Sequence, residues 1–250
     1  MRIWAKVAVA TIGMLGLSGT APAAEITVLA NQGALSGIKD LAAGFEQATG
    51  NKVTVAIKQG NALAQAINGD EPADVVTQTL DQFDDLVKRG KVVAGSWVEF
   101  ARAGNGVAVK EGALKRDIST PEAFKQAMLN SRSIGHTNAG TGPFNTRLFQ
   151  KLGIYDQVKG KVKIVVGKLV AAAVADGDVE IGIQQTNVIQ PYPGTVYLGP
   201  LPKELMEYGR FGAGLLTVSK EPDVATAFIK FMAAPENAPL VRKSAMEPVS

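Results

Sequence analysis

A recurring order of apolar strand, polar glycine loop and amphipathic helix constrains the fold of this chain more than any other feature. The near-continuous apolar run at residues 25–30 leads into the loop 31–37, and the helical stripe that follows ends at Gly50. The order repeats at residues 52–67, and a third strand at 73–77 precedes another helical stripe. Strands that are apolar on both faces are typical of parallel sheets covered by helices and joined by right-handed crossovers. These residues therefore predict an α/β lobe.

The same order returns in the second half of the chain and predicts a second lobe. A strand at residues 102–110 is entered through a pair of glycines, which indicates the crossing into that lobe, and residues 195–198 are a candidate return crossing. We predict lobe 1 at residues 24–104 and 197–250, and lobe 2 at residues 105–196. Each lobe is expected to hold a mostly parallel sheet flanked by helices.

The stretch 135–147 has the pattern of a ligand site. A loop crowded with glycine, threonine and asparagine runs from a short strand into a helix, and such a helix start presents unpaired backbone N–H groups to an anion. Ligands of open α/β sheets bind where strands end, so loops of both lobes are expected to face each other across a cleft. The candidate side-chain donors are Asn31, Gln32, Ser36, Asn61, Thr141, Asn145 and Gln185. The alternative interpretation of each loop is an ordinary surface connection.

Charge and composition limit the function classes. Arg2 and Lys6 precede an apolar run at residues 7–17 and small residues at 21–23, the pattern of a cleaved signal peptide at residues 1–23 and of export. Its removal leaves 24 basic against 23 acidic residues, a net charge of +1, with no basic cluster of the kind that binds nucleic acid. The absence of cysteine excludes disulfides, thiolate metal sites and a lipid-anchored cysteine.

The sequence offers few residues that are suitable for catalysis. His136 is the only histidine, so a histidine metal cluster or a conventional nucleophile–base pair has no second histidine to use. Ser36 lacks the flanking G-x-S-x-G pattern of a nucleophile elbow, and Asp178 and Glu180 are expected to face solvent. We therefore predict a protein that is not an enzyme, with no catalytic residues, metal or cofactor. An exported enzyme that uses His136, Ser36 and Glu180 is the alternative.

Five segments carry a resemblance to a known family, namely residues 25–50, 62–76, 149–153, 180–183 and 242–248. Together they resemble the type II periplasmic solute-binding proteins, and within them the periplasmic molybdate-binding family. The resemblance covers essentially the whole chain after the predicted signal peptide. It implies a type II fold with two lobes that close about a hinge on a small anionic or polar ligand. It also implies a periplasmic monomer that delivers the ligand to an inner-membrane ABC permease.

The resemblance also implies ligand-binding positions, and several of them differ from the family pattern. Gly33 and Gly60 stand where the family has serines, and Gln185 stands where it has a tyrosine. Thr141 and Gly167 match the donors of the other loops. The remaining candidates are Asn31, Gln32, Asn61 and Gly142 from the loops, with Arg102 or Arg147 as a carboxylate partner.

Two questions stay open at the level of sequence. The ligand is either an oxyanion such as molybdate, as the family resemblance implies, or an organic acid, as the amide-rich loops indicate. The receiving partner is either an ABC permease or a membrane receptor to which a ligand-sensing subunit docks.

Overall fold

The computed structural model describes residues 23–58, 61–138, 141–190 and 192–249, without the side chains of Gln32, Leu35 and Ser36. Residues 1–22 of the predicted signal peptide lie outside this range. The strands of the described chain are β1 Glu25–Asn31, β2 Lys52–Lys58, β3 Val75–Thr79, β4 Val98–Ala103, β5 Asn105–Lys110, β6 Ile134–His136, β7 Val162–Ile164, β8 Ile181–Gln185, β9 Thr195–Pro200, β10 Gly209–Leu215 and β11 Glu247–Pro248. The helices are α1 Leu35–Thr49, α2 Asn61–Asn68, α3 Phe83–Lys88, α4 Pro121–Leu129, α5 Thr141–Lys151, α6 Tyr155–Val158, α7 Val170–Asp176, α8 Thr186–Ile189, α9 Pro222–Ala233 and α10 Ala238–Lys243.

The strands form two sheets, and each sheet is the centre of one lobe. The first is six-stranded in the order β11-β4-β10-β3-β1-β2, and the second is five-stranded in the order β7-β6-β8-β5-β9. We call the first sheet with its helices the first lobe, and the second sheet with its helices the second lobe. The predicted two-lobed α/β fold is confirmed.

Both sheets are mixed, which corrects the prediction that they are mostly parallel. In the first lobe β1 pairs parallel with β2 and β3, whereas β10 pairs antiparallel with β3 and β4. In the second lobe β6 pairs parallel with β7 and β8, whereas β5 pairs antiparallel with β8 and β9. The antiparallel strands β4, β5, β9 and β10 flank the two passages between the sheets. The local alternation of strands and helices in the sequence does not indicate in which direction these strands run.

The core of the first lobe shows why its helices form. Helix α1 buries Ile38, Leu41 and Phe45 at helical spacing against the sheet. The ring of Phe45 meets that of Phe228 of α9 edge-on, with centroids 5.1 Å apart. The helix ends where Gly50 takes the left-handed conformation, φ 77°, that its sequence predicted.

The chain passes between the sheets at two places. Gly104 separates β4 of the first sheet from β5 of the second, inside the segment predicted as one strand at 102–110. β9 pairs with β5 up to Pro200, so the return follows that residue and precedes β10, whereas the sequence placed it near residue 197. None of the helices in the described ranges has the length and apolarity needed to cross a membrane.

Candidate functional site

A cavity of about 730 Å³ lies between the lobes, at the carboxyl ends of the parallel strands of both sheets. Strands β1, β2 and β3 end at it from the first lobe, and β6, β7 and β8 end at it from the second. This is the edge at which ligands bind in open α/β sheets. The lining residues are Asn31, Gly33, Lys58, Leu63, Gln78, Thr79, Thr137, Asn138, Thr141, Val165, Val166, Gly167, Lys168, Leu169, Gln184, Gln185, Val188 and Phe211.

The first-lobe wall is fixed by hydrogen bonds around Asn31. Its backbone N–H donates to Thr77 Oγ1 at 3.3 Å, and its Oδ1 accepts from Ala34 N at 3.1 Å. The side-chain oxygen is therefore used to hold the turn, and the Nδ2 group of Asn31 is the part of this amide that can donate to a ligand.

The second-lobe wall is built around the start of α5. Thr141 is buried at the first position of the helix, with its Oγ1 3.3 Å from Thr137 Oγ1. The backbone is packed so closely here that a Cβ on Gly142 would lie 1.9 Å from the carbonyl oxygen of Thr137. The same carbonyl is 2.8 Å from His136 Nδ1, so this nitrogen carries the hydrogen and donates it. The amino end of α5, which favours negative charge, thus lies at the cavity.

Gln185 reaches from the second lobe into the first. Its Oε1 lies 3.0 Å from the position that a Cβ on Gly33 would take, and its Nε2 lies 2.6 Å from the corresponding position on Gly209. The two glycines therefore leave the space that the amide of Gln185 occupies beside Phe211. Asn187 also crosses the gap, because its Nδ2 donates to the carbonyl of Gly33 at 2.7 Å.

The charged lining residues of the cavity are Lys58 and Lys168, and the described lining contains neither aspartate nor glutamate. Lys58 is the last residue of β2 and pairs with Glu71 at 2.8 Å. Lys168 pairs with Asp176 and Asp178, each at 2.6 Å. Hydrogen bonds to Asp176 and then Asp178 raise the pKa of Lys168 above its usual range, so it is a cation at neutral pH.

Only some of the predicted loop residues line the cavity. Five of them line the cavity, namely Asn31, Gly33, Thr141, Gly167 and Gln185. Gly142 packs against the lining residue Thr137 without lining the cavity itself, and Asn61 is exposed at the start of α2, also outside the lining. Gly60 and the side chain of Gln32 are outside the described part of the chain.

The two arginines predicted as carboxylate partners lie away from the cavity lining. Arg102 binds Glu247 at 2.7 Å and stacks over the ring of Tyr208 at 4.5 Å. Arg147 binds Glu207 at 3.0 Å. Neither arginine lines the cavity, whereas Lys58 and Lys168 do, so the structure moves the candidate cations from the arginines to these two lysines.

Glu180, which the sequence placed in solvent, is mostly buried and links two arginines. Its carboxylate is 2.7 Å from Arg116 and 3.0 Å from Arg132, and only 17% of its side chain is exposed. Burial alone would raise its pKa, but these bonds and the backbone N–H of Arg132 lower it to about 2. Glu180 directly precedes β8, at the end of the strand opposite to the cavity, where it links the segments that carry Arg116 and Arg132. Asp178 is exposed, as predicted.

Several lining residues were not among the sequence candidates, although their positions at the ends of predicted strands would have indicated them. Lys58 is the last residue of β2, Lys168 directly follows Gly167, and Gln78 and Thr79 end β3. All of them come at or just after the end of a strand that the sequence predicts. Taking every polar residue at those ends, rather than the glycine loops alone, would have included them.

Comparison with known proteins agrees with this geometry. The model of a family described as bacterial extracellular solute-binding proteins matches residues 26–247. An aconitate isomerase of a Pseudomonas species is 28% identical over 234 residues, which cover 91% of this chain and 89% of that protein. A molybdate-binding protein of Azotobacter vinelandii is 27% identical over 252 residues, with 94% of each chain covered.

A solved structure of the periplasmic molybdate-binding protein of Azotobacter vinelandii superposes with a TM-score of 0.72. The superposition covers 88% of this chain and 98% of the other at 18% identity. Identity at this level supports the shared two-lobed architecture and leaves the ligand to be argued from the residues of the cavity.

Proposed function

Because the chain belongs to the bacterial extracellular solute-binding protein family, we propose that it captures a small anionic solute between its lobes and delivers it to an ABC permease of the inner membrane. It acts in the periplasm as a monomer, and closure of the lobes about the hinge encloses the solute. Asn31, Thr141, Gln185 and the backbone of Gly33 and Gly167 provide the polar contacts.

The observation that carries this proposal is that the cavity lining has ammonium and N–H donors but no carboxylate. A lysine from each lobe lines it, the amino end of α5 lies at its wall, and its described lining contains no carboxylate. Such a site favours an anion over a cation or a neutral sugar. Polar side chains from both lobes share one cavity, which supports capture between the lobes rather than on one of them.

Thermal-shift measurements with molybdate, tungstate, sulfate and small carboxylates test the binding function. A ligand that binds only the folded chain raises the midpoint of unfolding, by about 5–10 °C at a hundredfold excess over Kd for a protein of this size. A chain that none of these anions stabilises, and whose binding isotherms with them are flat in calorimetry, would remove the proposal.

Delivery to a permease is separable from docking on a membrane receptor. A permease gene and an ATPase gene beside the gene of this chain would support an importer, and uptake of the bound anion should then depend on both. A neighbouring receptor gene without a permease would instead favour the ligand-sensing subunit.

A second candidate is an isomerase of unsaturated organic acids, which the similarity to an aconitate isomerase favours. Isomerisation by proton transfer needs a base within reach of the substrate. The titratable groups of the described lining are Lys58 and Lys168, both held in ion pairs, and His136 is buried outside the lining. The geometry therefore supports binding better than catalysis.

Proton NMR in D₂O with cis- and trans-aconitate distinguishes the two functions. Interconversion of the isomers, or exchange of a substrate C–H for deuterium that depends on the protein, would establish catalysis. Saturable binding without either change is expected of a solute-binding protein.

A further inference from the structure

The cavity lining combines two cations, one from each lobe, with apolar side chains. Lys58 comes from the first lobe and Lys168 from the second, so they approach the cavity from different sides. The apolar lining also comes from both lobes, and its members are Leu63, Val165, Val166, Leu169, Val188 and Phe211. A carbon skeleton can pack against such side chains, whereas a bare tetrahedral oxyanion has no apolar surface to bury there.

The size of the cavity agrees with a ligand that has a carbon skeleton. Its volume of about 730 Å³ lies within the range of roughly 300–1,000 Å³ that is typical of sites for organic ligands. A single tetrahedral oxyanion would fill a small part of it.

Each lysine retains hydrogen-bond capacity for a ligand. The ammonium group of a lysine has three N–H donors. Glu71 accepts from Lys58, and Asp176 and Asp178 accept from Lys168, so one or more donors of each ammonium remain. The side chains of Asp176 and Asp178 are 58% and 56% exposed, so water screens their charge more than that of a ligand enclosed in the cavity.

We propose that the solute is an organic acid with at least two separated carboxylates, one bound by Lys58 and the other by Lys168. This inference rests on the proposed function and specifies its ligand class. A ligand that spans both lysines contacts both lobes, and its affinity therefore depends on their closure. The apolar residues of the lining hold the carbon chain, and the loop donors bind the remaining oxygens.

Calorimetric titration with a ligand series tests the ligand class. The series contains succinate, glutarate and tricarballylate, the monocarboxylate butyrate, and the oxyanions molybdate and sulfate. We expect at least one polycarboxylate to bind at least tenfold more tightly than butyrate and than either oxyanion.

Substitution of each lysine tests whether it binds one of the two ligand carboxylates. Lys58→Gln and Lys168→Gln should each weaken the best polycarboxylate by about tenfold or more, because each removes one charge from the site. Lys159→Gln is the matched control, since Lys159 is an exposed lysine paired with Asp156 at 2.7 Å outside the cavity lining. It should leave the affinity unchanged.

A cycle of protein and ligand truncations separates a direct contact from a general effect of charge. In the unchanged chain, replacing one ligand carboxylate by a methyl group should cost about tenfold in affinity. In Lys58→Gln or Lys168→Gln the same replacement should cost much less, because the partner of that carboxylate is already absent. Equal costs in all three proteins would overturn the assignment.

Failure of this inference is distinguishable from failure of the proposed function. If molybdate or sulfate binds most tightly and the lysine substitutions do not change that affinity, the protein binds anions but the polycarboxylate assignment is wrong. Absence of binding by every anion in the series would remove both.

Discussion

At the scale of single residues, Gly142 is the position where the wall of the cavity tolerates least change. Gly142→Ala would place a Cβ 1.9 Å from Thr137 O, so the loop and the start of α5 must separate. We expect a loss of about 1–3 kcal/mol in the free energy of unfolding, typical of overpacking, and a weaker affinity for the ligand. Chemical denaturation and calorimetric titration measure the two effects.

Gly160→Ala is the control for this substitution, because a Cβ there meets no heavy atom within 4 Å. It should change neither the stability nor the affinity by much. Full affinity in Gly142→Ala would show that the close approach of Thr137 does not shape the site.

The surroundings of Asn145 lead to a second prediction at this scale, about the stability of the fold. It is fully buried on α5, and both polar atoms of its amide lack a hydrogen-bond partner in the described structure. A buried amide without partners costs about 1–3 kcal/mol. Asn145→Leu should therefore raise the midpoint of thermal unfolding by about 2–4 °C, a shift that corresponds to about 1 kcal/mol in a chain of this size.

Gln150→Leu, at an exposed position of the same helix, separates burial from helix propensity and should leave the midpoint nearly unchanged. A lower midpoint in Asn145→Leu would contradict the prediction and would mean that the amide stabilises the fold.

The charged residues show what sequence can and cannot predict at this scale. Arg102 and Arg147 were chosen for the chemistry of the guanidinium group, but the partner of Arg102 is Glu247, 145 residues away in the sequence. Local patterns do not contain such a pairing. Lys58 and Lys168 were predictable in principle, because each stands at the end of a predicted strand.

At the scale of elements, Glu180 fixes the start of β8 to the neighbouring loops through Arg116 and Arg132. Its pKa in the folded chain, about 2, is below the ordinary value of 4.5. A lowered pKa stabilises the fold at pH values above the ordinary pKa, and this contribution is lost as the pH falls from about 4.5 towards 2. The shift corresponds to about 3 kcal/mol at neutral pH.

We therefore expect Glu180→Gln to lower the free energy of unfolding at pH 7 by up to about 3 kcal/mol. The variant should also lose less stability than the unchanged chain between pH 4.5 and pH 2, since its side chain does not titrate. Urea denaturation across this pH range measures both effects. Glu111→Gln, on the exposed turn after β5, is the control, and the same pH dependence in both variants would refute the role of Glu180.

The boundaries of elements were predictable where hydrophobic period and caps agree. The strand predicted at residues 25–30 is Glu25–Asn31, and α1 ends before Gly50 as its sequence indicates. The strand predicted at 102–110 is instead two strands, because the halves on either side of Gly104 pair with different sheets. That division depends on β10 and β8, which are distant in sequence.

At the scale of the whole molecule, the contacts between the lobes set how readily the cavity closes. Asn187 of α8 donates to Gly33 O at 2.7 Å, and Thr186 Oγ1 donates to Ala245 O at 3.1 Å. Both bonds join the second lobe to the first, and Asn187 does not line the cavity. A movement that separates the lobes at Gly33 and Ala245 would break both bonds, so they stabilise the present arrangement, which we take as the ligand-binding one.

Asn187→Ala should therefore weaken ligand binding without removing a ligand contact. A single hydrogen bond contributes about 0.5–1.5 kcal/mol, so we expect an affinity loss of roughly 2–12-fold. The apparent affinity falls with the fraction of molecules that are closed, and the ligand-free variant should have a larger radius of gyration by small-angle scattering. Calorimetry gives the affinity of the same samples.

Asn237→Ala is a matched control, because Asn237 Nδ2 also donates to a backbone carbonyl, that of Phe231 at 2.8 Å, but inside the first lobe. It should lower the stability of the fold and leave the affinity and the radius of gyration unchanged. If both variants bind alike, closure does not depend on the bond between Asn187 and Gly33. If Asn187→Ala alone binds weakly and is expanded, then a residue outside the cavity controls affinity through the population of the closed form.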